Sequence, residues 1–223
     1  MRARASRPGD GGRRYNPGMH AGSTPSWVIR ENASTSVLLA LYLREVLGIA
    51  SPTELPRLRD VGRIGPEGRP DVDAHDALEK QWRDWWTITV EPEDHPSPVP
   101  LELVDAYGTA VALPVSGAEA LVAAIRPHAE AALAWADWAH ERYRTASAVR
   151  SGDSYRAYAG SIAEHEREVG RRAHSFELNV EVLPLATSGV WWIGRKTVAV
   201  TDSLRADAAA FDEAIHPIIA ELA

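Results

Sequence analysis

Phe176-Glu177-Leu178-Asn179-Val180-Glu181-Val182-Leu183 alternates apolar and polar residues, and Val190-Trp191-Trp192-Ile193-Gly194-Arg195-Lys196-Thr197-Val198-Ala199-Val200 follows it closely. Side chains alternate across a strand, so the first stretch predicts a strand with one buried face. The second reads as a further strand, rich in β-branched and aromatic residues. Together they predict a C-terminal hairpin over residues 175–200. A helix is expected to close the chain from about Ser203, with Leu204, Ala208, Phe211, Ile215, Ile218 and Leu222 on one stripe and Pro217 bending it.

Working back from this hairpin, helical patterns dominate. Val37-Leu38-Leu39-Ala40-Leu41-Tyr42-Leu43 continues to Leu47 and is apolar nearly all round. Such a helix belongs in the centre of a core or in an interface between subunits. Ser34 or Thr35 suits its start, and Gly48 followed by Ile49 suits its stop. Leu78, Trp82 and Trp85 share a face of a helix expected from Asp73 to Trp86, followed by extended chain at Thr87-Ile88-Thr89-Val90. Ser116 and Glu119 match a capping box ahead of a helix reaching Thr145, interrupted at Pro127. Asp153 opens another, with Tyr155, Tyr158, Ile162, His165 and Val169 on its stripe. Weaker strand patterns lie at 86–90 and 101–113. The expected class is α+β: a small, mainly antiparallel sheet packed on several helices.

Residues 1–25 stand apart. They are rich in Arg, Gly, Ser and Pro, and predict a disordered basic arm. Arg2, Arg4, Arg7, Arg13 and Arg14 against Asp10 give the arm +4, leaving -11 for the remainder of a chain whose net charge is -7. Met19 offers an alternative start. Residues 26–223 are expected to form a single α+β domain, and Ala50 to Pro70 to be a long loop.

Composition narrows the functional classes. With 45% apolar and 25% charged residues the chain has material for a core. It has no cysteine, which removes disulfides, thiol nucleophiles and thiolate metal sites and fits a cytoplasmic protein. An acidic chain disfavours nucleic acid as a partner, since phosphate neutralisation needs clustered basic residues. The longest apolar run, Val37 to Leu43, is too short to cross a membrane. Lys80 and Lys196 are the only lysines, so an arginine at any one position carries little information.

Three groups are candidates for chemistry. His128 and His165 each sit on the apolar stripe of a helix, and would form an acid/base pair if those helices met. They lack metal-ligand spacing, and neither a metal nor a cofactor is expected. Asp71-Val72-Asp73-Ala74-His75-Asp76 carries alternate acids but lacks the glycine and glutamate of a calcium loop, and helix capping accounts for Asp73 and Asp76. Trp191, Ile193 and Arg195 share the second strand's outer face and form a candidate partner- or ligand-binding patch. Walker, dinucleotide, nucleophile-elbow and zinc-protease motifs are missing. Gly62 to Gly68 lacks a phosphate-loop lysine, and Ser151-Gly152-Asp153-Ser154 reads as a cap. The expected function is a non-enzymatic protein-interaction or self-associating domain, with a protein partner or a second copy. The alternative is an enzyme or small-molecule binder with a pocket near His128 and His165.

Overall fold

Thr197-Val198-Ala199-Val200-Thr201 is buried on both faces, and this places it inside a sheet rather than at its edge. The computed structural model describes residues 26–61, 72–150 and 153–223. Its strands are β1 (Trp27–Asn32), β2 (Leu101–Leu103), β3 (Ala112–Pro114), β4 (Phe176–Leu183), β5 (Val190–Trp192) and β6 (Thr197–Thr201). Four of them form a mixed sheet in the order β1-β4-β6-β5; β2 and β3 form a separate antiparallel ribbon. The α+β class is as expected.

The strand pairing departs from the expected hairpin. β1 pairs with β4 and β4 with β6, both in parallel, and only β5 with β6 is antiparallel in this sheet. Val190 to Val200 is therefore not one strand. It turns at Gly194, and its second half slots between β4 and β5. The reason is visible at Glu91, whose carboxylate accepts from the Arg195 and Lys196 N–H groups and the Thr197 hydroxyl at 2.7–2.9 Å. That contact holds the turn, and the Gly194 position has no room for a Cβ against the same carboxylate.

The sheet is covered on both sides. Phe176, Leu178, Val180 and Val182 meet Ile162, Phe211 and Ile215 from helices α5 (Asp153–Val169) and α7 (Ala208–Leu222). On the other face Leu183 and Ala199 meet the core built around α1 (Thr35–Val46), α2 (Val72–Val90) and α4 (Ala129–Val149). Leu38, Leu39, Leu41 and Leu43 are fully buried, so the all-round apolar α1 is a central core helix. It ends as a Schellman motif: Gly48 has φ 68°, its N–H bonds to Glu45, and the buried Ile49 bonds to Arg44. Trp82 donates from Nε1 to the Ala40 carbonyl at 3.1 Å and stacks on Trp86.

Three helix boundaries differ from the expectation. α2 runs on to Val90, and within it the Thr87 and Thr89 hydroxyls satisfy themselves on the carbonyls of Arg83 and Trp85 instead of entering a strand. Ser116 makes no cap; Ala118 stands before α3 (Glu119–Ile125), and Glu119 accepts instead from the Gly117 N–H. The closing helix is split into α6 (Asp202–Ala206) and α7, since Asp207 accepts from Ala210 N–H and starts a new helix. Pro127 sits in a 3₁₀ turn (Arg126–His128) between α3 and α4. The basic arm and residues 62–70 lie outside the described residues. Among the described residues no helix is long and apolar enough to cross a membrane.

Candidate functional site

Parallel pairing sends the carboxyl ends of β1, β4 and β6 to the same edge of the sheet, where α/β folds commonly place ligands. The last turns of α4 pass over this edge. Trp138, Ala139, Arg142, Tyr143, Ala146 and Arg150 recur there at helical spacing, and the two alanines leave a hollow between longer side chains. Pro184 after β4 and Asp202 after β6 form the opposite wall of a cavity of about 270 Å³.

The third wall comes from the loop after α1. Arg44, 2% exposed, donates to the carbonyls of Pro52, Leu55 and Pro56 at 2.8–3.3 Å. Burial pushes its pKa below the ordinary guanidinium value. Glu45 accepts from the Arg57 side chain and the Leu58 N–H. The loop then pairs with the chain leaving β4: Arg59 N–H bonds to Pro184 and Ala186 N–H to Arg57. These contacts bring the Arg59 guanidinium to within 2.6 Å of Asp202. The hydrogen bond to Asp202 raises the Arg59 pKa further above its already high value.

Three arginines against one aspartate leave the cavity wall at +2 in a chain of net charge -7. Of the three, only Arg59 is paired with a carboxylate among the described residues. Arg142 lies over the Trp138 ring at 4.9 Å, and neither it nor Arg150 has a carboxylate at ion-pair distance among the described residues. Arg150 follows the C-terminus of α4, where the helix dipole is negative, so the attraction for an anion comes from the guanidinium groups.

The groups around this cavity are, by contrast, tied to one another. Glu31 accepts from the Tyr158 hydroxyl and from Arg205 Nε, both at 2.8 Å, and the Arg205 guanidinium lies 4.3 Å from the Phe211 ring centre. Burial, reinforced by Glu31, raises the pKa of Tyr158 and of the cavity-lining Tyr143. Glu181 accepts from the Ser34 N–H and hydroxyl at 2.8 and 2.7 Å, and burial pushes its carboxyl above the usual range. His140 places Nδ1 2.7 Å from the Ala33 carbonyl, which assigns the proton to that nitrogen. This arrangement suits binding: a rigid polar surround beside two arginines that have no carboxylate partner among the described residues. Among the described residues no three His, Asp or Glu side chains come together as a metal site.

The candidates read from the sequence lie elsewhere. His128 is half-buried just before α4, on the layer packed with α1; His165 is buried on α5, in the layer packed with α7. The sheet separates the two layers, and neither imidazole lines the cavity. Trp191 and Ile193 are half-buried and pack on the α1 core. Arg195 is exposed in the turn, with its backbone N–H on Glu91. Asp73 and Asp76 fall in the first turns of α2, while Asp71, Ser151 and Gly152 lie outside the described residues. The sequence reading missed Arg59, Arg150 and Asp202. The one available signal was Arg142 four residues after Trp138, which places a cation over a ring. No protein-family model, curated protein or solved structure matches the chain.

Proposed function

We propose that the protein binds a small anionic molecule in the cavity at the carboxyl ends of β1, β4 and β6. The observation that carries this reading is that Arg142 and Arg150, neither with a carboxylate partner among the described residues, both line one concave site of an acidic chain. Guanidinium groups recognise carboxylate and phosphate through paired N–H donors. Isothermal titration calorimetry with inorganic phosphate, benzoate and citrate tests it. Saturable binding of at least one, weakened about tenfold or more in Arg142→Gln/Arg150→Gln and falling with salt, is the expected result. Equal binding by the variant, or no binding of any anion, overturns it.

Association with a protein partner or a second copy is the second reading. The apolar α1 no longer argues for it, being covered by its own chain, and Trp82, Trp85 and Trp86 are core residues. Its remaining support is the ribbon, where Leu101, Leu103 and Val115 are 45–51% exposed. Sedimentation of the protein over a hundredfold concentration range tests self-association; a constant monomer removes that half of the reading.

A further inference from the structure

The wall of the cavity divides in two. Its cations gather at Arg59, Arg142 and Arg150. Between them the surface is Trp138, Tyr143, Ala146 and Val182, with Pro184 and Ala206 alongside. Among the described residues, Ser203 is the one aliphatic hydroxyl in the wall. A ligand made of hydroxyl groups would leave most of its donors and acceptors facing carbon, at the cost of unmade hydrogen bonds. A planar apolar body meets no such cost, and it gains area against the ring of Trp138, which is 48% exposed.

Size narrows the class again. The cavity volume is about 270 Å³. That is room for a head group and one ring, and lies just below the ordinary range for drug-sized ligands. From this we infer that the ligand is an aromatic organic anion: a single ring carrying a carboxylate or phosphate. The head meets Arg142 and Arg150 over Ala146, and the ring lies along the apolar wall of Tyr143, Val182 and Pro184. This deepens, and rests on, the reading of the cavity as an anion site.

The test compares ligands that share a head and differ in body. The full chain is titrated calorimetrically with phenyl phosphate, glycerol 3-phosphate and inorganic phosphate, and in parallel with benzoate and glycerate. The expected result is that each aromatic member binds at least tenfold more tightly than its hydroxylated counterpart. Ala146→Leu, which fills the hollow and leaves every charge in place, should weaken the aromatic members by at least tenfold and by more than it weakens inorganic phosphate. Ala146 is half-buried on the helix surface, and a thermal melt checks that the variant folds. The wild-type comparison decides the matter even if it does not. Equal or tighter binding of glycerol 3-phosphate and glycerate overturns the aromatic class and leaves the anion site standing. Failure of all five ligands to bind overturns both.

Discussion

The Glu91 carboxylate lies against Gly194 so closely that a methyl group on that glycine would overlap it. One residue after α2 thereby fixes the turn joining β5 to β6. Removing the carboxylate in Glu91→Ala strands two backbone N–H groups and the buried Thr197 hydroxyl, and we expect a loss of about 2–3 kcal/mol in urea unfolding. Gly194→Ala should destabilise as well, since the bulk meets a fixed carboxylate rather than a loose side chain. Unchanged midpoints in both variants would mean that the contact does not hold the turn.

Glu91 and Glu181 respond to pH in opposite directions. Burial opposes ionisation of Glu91, but its three donors outweigh it and hold the carboxyl below the usual range. Its contribution is therefore present above the unfolded carboxylate pKa and is lost as pH falls through the lower folded value. Burial raises Glu181, with the two Ser34 bonds only partly compensating. Its contribution is complete below the unfolded pKa and declines as pH rises through the folded value. Glu91→Gln should thus cost more at pH 7 than at pH 3. Glu181→Gln, which keeps an acceptor for Ser34, should cost least at pH 7. Urea titrations of both variants from pH 3 to 7 check the two slopes.

Arg205 and Glu31 form a buried pair, 2% and 10% exposed, across the sheet's carboxyl edge. Breaking such a pair leaves an uncompensated charge in the interior. Arg205→Ala should lose about 3–5 kcal/mol. The triple replacement Arg205→Met, Glu31→Leu and Tyr158→Phe, which also removes the hydroxyl bonded to Glu31, should recover much of it. A triple variant as unstable as the single would show that the loss does not come from an uncompensated charge.

Leu39 is fully buried in α1. Leu39→Ala should cost about 2–5 kcal/mol from lost burial and the cavity left behind. Because α1 is enclosed by its own chain, the drop in melting temperature should not depend on protein concentration. A cost that vanishes at high concentration would return α1 to an interface between copies.

Much of the fold was legible because burial imposes a period. The stripe of β4, the apolar run of α1 and the pair Leu78 and Trp82 each showed which face turns inward. The direction of strand pairing was not legible, because alternation is the same in parallel and antiparallel strands. Gly194 was the one local sign of a turn within Val190–Val200, and its partner Glu91 lies 104 residues or more from the groups it holds. The site was hidden for a related reason. Arg59, Arg150 and Asp202 come from three distant segments, and in a chain that uses arginine for nearly all its basic residues none stands out. His128 and His165 were conspicuous only as polar residues on apolar stripes, and a stripe does not say which layer it joins.

β1 finds its partner at the far end of the chain: Ser26 and Ser175, and then Ser34 and Glu181, meet across 149 and 147 residues. Closing a loop of that length costs about 4 kcal/mol in chain entropy from its length alone. During synthesis, β1 and the apolar helix beside it emerge first, while β4 and β6 are still unmade. A nascent or truncated chain ending before Phe176 therefore presents an open strand edge and the sheet-facing side of the α1 core with nothing to cover them. Such fragments are expected to aggregate or to engage chaperones, and in the cell β4 and β6 decide when β1 and α1 become safe.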